Sequence, residues 1–171
     1  RDTTSSPLYS KFLFPKFLTG IDINGYVPQT QGLKYHLFAQ NNHDMDEEYI
    51  NIPNTHFFGF ALDQEISMDW NTGGSIGEYI AKTGQRTRFI QGNFKYDDTR
   101  WQVLTEALAA KSEYGDRQDD YTFSGYTQAM YRYTPEHALI GRYEYYNDHH
   151  TDYKDHILTL GYSYRPLYPV S

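Results

Sequence analysis

Between Tyr121 and Tyr164, three successive runs of the chain alternate in character with a period of two, the signature of extended strands rather than helices. In the first run Tyr121, Phe123, Gly125, Ala129, Tyr131 and Tyr133 fall on one face, and Thr122, Ser124, Gln128 and Arg132 on the other. After a tight turn at Thr134-Pro135-Glu136, Leu139, Gly141, Tyr143 and Tyr145 stand opposite Arg142 and Glu144. The third run sets His156, Leu158, Leu160, Tyr162 and Tyr164 against Ile157, Thr159, Gly161, Ser163 and Arg165. Each run reads as a strand with one dry and one wet face. Strands in series on polar links predict an antiparallel meander.

The rest of the chain repeats the rhythm. Residues 1–16 read as a loop with an aromatic patch, Phe12, Phe14 and Phe17, that feeds a strand over residues 18–27. Its Thr19, Ile21, Ile23, Gly25 and Val27 oppose Asp22 and Asn24. A turn at residues 28–32 returns into Leu33, Tyr35, Leu37 and Ala39 against Lys34, His36 and Gln40. Residues 41–55, with Asp44, Asp46, Glu47 and Glu48, predict a long exposed loop. Phe58, Phe60 and Leu62 open a further strand, Asp69-Trp70-Asn71-Thr72-Gly73-Gly74 reads as a turn, and strands over 75–82 and 87–96 flank Thr83-Gly84-Gln85.

Local signals conflict over residues 99–113. Leu104 to Lys111 has high helix propensity, and Trp101, Leu104 and Leu108 lie at helical spacing after Asp98. As a strand, the same residues put Trp101, Val103, Thr105, Ala107 and Ala109 on one face. Intrinsic propensity yields readily to pairing with neighbours, so the expectation here is a strand. That makes about nine strands.

Such a chain is short of ordinary core: 39% of its 171 residues are hydrophobic, mean hydropathy is -0.76, and 18 residues are Tyr. Tyrosine in that excess suits surfaces that are apolar in the middle and wet at the edge, as at a bilayer interface, although sugar-binding barrels and sandwiches use it too. A net charge of -7 without a basic patch excludes a nucleic-acid surface. The absence of Cys excludes thiolate metal sites, catalytic thiols and disulfides. No run approaches the roughly 20 apolar residues of a spanning helix, so an integral membrane form would have to be a barrel. The polar opening Arg1-Asp2-Thr3-Thr4-Ser5-Ser6 has no signal-peptide pattern and reads as the start of a processed or partial chain.

The links have a rhythm of their own. Those at 28–32, 69–74, 97–99 and 134–136 are compact, whereas those at 41–55, 112–120 and 147–155 are longer and more charged, with 83–85 the short exception. Short turns at one end and long loops at the other predict an up-and-down transmembrane β-barrel of the outer-membrane type.

On Thr19-Gly20-Ile21-Asp22-Ile23-Asn24-Gly25-Tyr26-Val27-Pro28, the return Leu33-Lys34-Tyr35-His36-Leu37, and Leu158-Thr159-Leu160-Gly161-Tyr162-Ser163-Tyr164-Arg165-Pro166, the chain resembles a stretch of a proteobacterial outer-membrane porin. The broad group includes the phosphate-selective porins. The resemblance is one of strand rhythm over nearly the whole chain, not of a catalytic signature. It implies a Gram-negative outer-membrane location, lipid as surroundings, and passive diffusion of small polar or anionic solutes. Homo-oligomerisation is left open. Members have more strands and end on an aromatic residue, whereas this chain ends Tyr168-Pro169-Val170-Ser171, so the expectation is part of a larger, even-stranded barrel.

With apolar faces toward lipid, the opposite faces would line a pore with Asp22, Lys34, His36, Asp63, Glu78, Lys95, Glu106, Arg132, Arg142 and Glu144. Neither sign is clearly in excess there, which predicts a general polar pore and leaves phosphate selectivity to the resemblance alone. Lipid-facing aromatic girdles follow: Tyr35, Tyr96, Trp101, Tyr133, Tyr162 and Tyr164 near the short turns, and Tyr121, Tyr143 and Tyr145 near the long loops. No cofactor is implied.

Other chemistry is thin. His149, His150 and Asp152 form the best metal-like group, but adjacent His on a loop lack the spacing of metal sites, and solvated loop is the reading preferred. Asp44-Met45-Asp46 lacks the later Gly and Glu of a calcium-binding loop. A Glu65 and Glu78 pair could be imagined as glycosidase acid and base, yet any barrel interior offers such pairs, so no enzyme is expected. Two rivals stay open: a non-conducting structural or docking barrel, and a soluble ligand-binding barrel with Leu139, Tyr143, Leu158, Leu160, Tyr162 and Phe94 inside.

Overall fold

The computed structural model describes residues 20–30, 32–41, 54–115, 119–149 and 151–165. The aromatic patch at Phe12, Phe14 and Phe17, the acidic Asp44, Asp46, Glu47 and Glu48, and the terminal Tyr168 lie outside them. Nine strands follow one another: β1 (Ile21–Tyr26), β2 (Leu33–Asn41), β3 (Asn54–Glu65), β4 (Trp70–Ala81), β5 (Arg86–Asp97), β6 (Trp101–Glu113), β7 (Asp120–Arg132), β8 (His137–Asp148) and β9 (Tyr153–Tyr164). They pair antiparallel, each with the next, in one sheet of order β1 to β9. No helix occurs among the described residues.

The contested segment is strand: β6 pairs along its whole length with β5 and β7, from Trp101 opposite Tyr131 to Ser112 opposite Asp120. Two registered neighbours supply a full set of backbone partners, and that outweighs a helix propensity worth tenths of a kcal/mol per residue. The strands also run longer than the alternation alone suggested. Trp70 to Gly74, read as a turn, is the first part of β4, and the turn is displaced to residues 66–69. The expected loop at 147–155 shrinks to residues 149–152, with Asp152 at positive φ (52°). At the other short connection of that end, Gly84 takes φ 84° while its N–H donates to the Ala81 carbonyl at 2.9 Å, a conformation glycine adopts without strain.

Register fixes which side chains share a face, because residues directly opposite point the same way. One face runs Ile23, Leu37, Phe60, Ile76, Ile90, Ala109, Phe123. The other runs Lys34, Asp63, Gly73, Asn93, Glu106, Tyr126, Glu144, Ile157. In a flat single sheet both would be equally wet. Here the buried side chains Tyr79, Thr87, Leu104, Leu108, Tyr126, Glu144 and Tyr146 all belong to the second face, whereas Ile76, Ile90, Leu139, Leu158 and Leu160 of the first are more than half exposed. The sheet therefore curls around the second face, which we call inner, and presents the first, outer face to its surroundings.

The sheet does not close. β1 and β9 make no contact, and in an antiparallel meander the first and ninth strands run in the same direction. Antiparallel closure across that gap requires an odd number of additional strands.

Candidate functional site: the inner face and the outer band

Of the charged positions expected to share an interior, Asp22, Lys34, Asp63, Lys95, Glu106, Arg132, Arg142 and Glu144, together with His36, are on the inner face. Glu78 is not, and its assignment to that set is corrected. It stands opposite Phe58 and Arg88 on the outer face, reaching Arg88 Nε at 2.7 Å and Arg86 Nε at 3.6 Å. Charge suggested an inward place, but two arginines at the end of the neighbouring strand satisfy the carboxylate where it is.

The inner face is polar through its middle and toward the turn end. Lys34 pairs with Glu65 at 3.0 Å, Lys95 with Asp97 at 3.5 Å, Arg132 with Asp97 at 3.1 Å, and Arg142 with Glu144 at 2.9 Å. A chain of side chains crosses four strands: Ser75 Oγ donates to Gln91 Oε1 at 2.7 Å, Gln91 donates in turn to Glu106, and Glu106 also accepts from the Tyr126 hydroxyl. Beside it, a cleft of about 300 Å³ is lined by Asn71, Asn93, Lys95, Leu104, Glu106 and Tyr126. Gly73 leaves that stretch of wall low, since a Cβ there would strike the Asp63 carboxylate and the Leu62 carbonyl.

Nearer the long-loop end the inner face becomes aromatic, which the expected water-filled interior did not anticipate. Phe57 lies edge-on to Phe38 at 5.5 Å and tilted to Phe89 at 6.0 Å, within a cluster that includes Tyr79, Leu108 and Tyr146. Gly59 and Gly77 make room for it, because a Cβ on Gly77 would approach Phe89 Cζ to 2.5 Å. The pairing of glycine with an overlying ring was visible in sequence only as unexplained glycines on β3 and β4.

The outer face has a different order. Tyr35, Tyr96, Trp101, Tyr143, Tyr145, Tyr162 and Tyr164 all belong to it, and Tyr133 stacks on its His137 at 5.7 Å. Tyr143 stands midway along β8, lower than expected, and binds His156 Nδ1 through its hydroxyl at 2.7 Å. Two further members were missed: Trp70, 4.6 Å from Tyr96, and His137, 4.9 Å from Tyr164. Trp70 is hidden in sequence by turn-like Asp69 and Asn71, whereas His137 already opens the strand read there and lacks only the signal of an aromatic anchor.

Above this aromatic row, the outer face of the strands carries no Asp, Glu, Lys or Arg until Glu78, Arg88, Lys111 and Lys154. From Tyr96 to Arg88 is eight residues and from Trp101 to Lys111 ten, about 26 to 33 Å along the strands. A strand tilt of about 40° reduces that to roughly 20 to 25 Å, the height of the apolar band on outer-membrane barrels. The charges at its upper edge pair with one another: Arg88 with Glu113 at 3.1 Å, and Lys111 with Glu113 at 3.1 Å and Asp119 at 2.8 Å.

Of the metal-like group, only His149 and Asp152 are among the described residues. His149 packs edge-on to Phe123 at 6.0 Å and its Nε2 lies 3.2 Å from the Asn147 amide, Asp152 occupies the turn, and His150 is outside the described residues. No group of three or more metal-ligating side chains forms among the described residues. No family model, curated protein or solved structure matches the chain.

Proposed function

We propose that the nine strands are part of the wall of a transmembrane β-barrel in a Gram-negative outer membrane, and that the barrel conducts small polar solutes by passive diffusion. The observation that carries the reading is the outer face. Its exposed aliphatic and aromatic side chains form a charge-free band of bilayer height, with aromatic residues along one edge and ion pairs along the other. Exposed apolar area on that scale invites aggregation in water but is at home in hydrocarbon. The polar inner face supports a hydrated interior, and the like direction of β1 and β9 supports a larger, even-stranded barrel.

The aromatic patch at Phe38, Phe57 and Phe89 favours one rival reading, a barrel whose interior is occupied and does not conduct. Conductance separates them. The complete protein, purified in detergent and added to a planar bilayer, gives stepwise ohmic currents if the interior is open. Insertion into liposomes without any current supports the occupied barrel. Failure to insert removes both membrane readings and leaves the soluble ligand-binding barrel.

A further inference from the structure

The two faces of the sheet differ in charge as well as in polarity. Of the acidic residues in the strands, only Glu78 and Glu113 are on the outer face; nine lie on the inner one, among them Asp63, Glu65, Asp97, Glu106 and Glu144. Among the described residues of the strands only four cations face inward, Lys34, Lys95, Arg132 and Arg142. The inner face therefore carries a net charge of -5, nine acids against four bases with His neutral, while the outer face carries four bases against two acids. The imbalance is not legible in sequence, where Asp97, Asp120, Asp148 and Asp155 read as turn or loop residues with no face.

Placement sharpens the imbalance. All four inward cations sit in the half toward the short turns, and each has a carboxylate within 2.9 to 3.5 Å. Lys95 and Arg132 share the single Asp97 carboxylate, so three acids offset most of these four charges and leave little for a passing anion. Glu106, by contrast, is held by neutral donors, the Gln91 amide and the Tyr126 hydroxyl, and makes no ion pair among the described residues, although Lys95 shares the cleft with it, Asn71 and Asn93. Asp63 lies in the same register row over Gly73. Fixed carboxylates along a low-dielectric wall raise the local concentration of cations and exclude anions.

Resting on the barrel reading, we propose that this wall selects for small cations over anions, with Asp63 and Glu106 as specificity-determining residues. The preference is opposite to the one phosphate transport would need. The test is the reversal potential of the complete protein in a planar bilayer under a tenfold KCl gradient. The expected potassium-to-chloride permeability ratio is at least twofold, rising as salt is lowered because screening weakens. Asp63→Asn with Glu106→Gln brings the ratio toward one, and Asp63→Lys below it, while Glu78→Gln on the outer face leaves it unchanged. A ratio at or below one in the native protein, or one indifferent to Asp63 and Glu106, overturns the inference while leaving the conducting barrel intact. Absence of any current overturns both.

Discussion

The guanidinium of Arg142 lies over the ring of Tyr126, 4.1 Å from its centroid, in a diagonal contact between β8 and β7. The same side chain reaches the Glu144 carboxylate at 2.9 Å, with only 10% of Arg142 and 3% of Glu144 exposed. A carboxylate that dry depends on its cation. Arg142→Met is expected to lower stability by about 3 kcal/mol, the usual cost of leaving a buried charge without its partner. Adding Glu144→Gln restores much of it. Urea unfolding of the protein in detergent, followed by tryptophan fluorescence, measures both; equal stability of the single and double variants contradicts the account.

The hairpin between β5 and β6 is organised by Asp98. Its carboxylate accepts from the backbone N–H of Trp101 and of Arg100, the latter at 2.6 Å, and from the Tyr96 hydroxyl at 2.6 Å. The backbone donor at Trp101 contributes most, then Tyr96, and together they hold the Asp98 carboxyl below its usual range. A lowered folded-state value stabilises the ionised form, so the contribution is complete above the unfolded carboxyl value and lost as pH falls through the folded one. Asp98→Ala is expected to unfold more easily at pH 7 and to converge with the native protein in acid, measured as urea midpoints across pH.

Gly77 is a packing position. A Cβ there would lie 2.5 Å from Phe89 Cζ and 2.6 Å from the Phe58 carbonyl oxygen. Gly77→Ala should cost about 1 to 3 kcal/mol, the range of an overpacked site. Phe89→Ala does not rescue it, because the carbonyl belongs to the backbone of the neighbouring strand. Rescue would mean that ring crowding alone requires the glycine.

How much of this was legible without coordinates depended on the face a residue occupies. Strand alternation placed Leu158, Leu160, Tyr162 and Tyr164 together, and they share the outer face. The same logic separated Lys34 and His36 from Leu33 and Tyr35. It failed where sequence offered no alternation to follow. Gly73, Gly74 and Gly77 blur the period in β4, so the sequence alone reads Trp70 as turn and Glu78 as inward-facing. Residues 99–113 carried a genuine contradiction between propensity and context, resolved by pairing with two neighbours. The ring packing of Phe38, Phe57 and Phe89 joins residues on three strands, and no local pattern encodes it.

The outer band makes a prediction about charge. Leu158 is 71% exposed and stands four residues from Lys154 and four from Tyr162, near the middle of the band. Leu158→Arg is expected to impair insertion by about 2 to 4 kcal/mol, the cost of arginine at the midplane of a barrel's lipid face. The neighbouring inner-face change Thr159→Arg should insert normally. Folding yield into lipid vesicles, scored by protease resistance, distinguishes them.

The central claim is an orientation: hydrocarbon outside, water inside. These 171 residues hold no cysteine, so within them an introduced one has no competitor, and any cysteine elsewhere in the complete protein is replaced by serine first. Single cysteines at positions 90 to 95 of β5, labelled with a fluorophore in the complete protein reconstituted into vesicles, report their surroundings residue by residue. Nitroxides on the lipid chains should quench positions 90, 92 and 94, while 91, 93 and 95 stay unquenched and remain open to a water-soluble thiol reagent before labelling. Quenching of 91, 93 and 95 instead, or none at any of the six, would contradict the account.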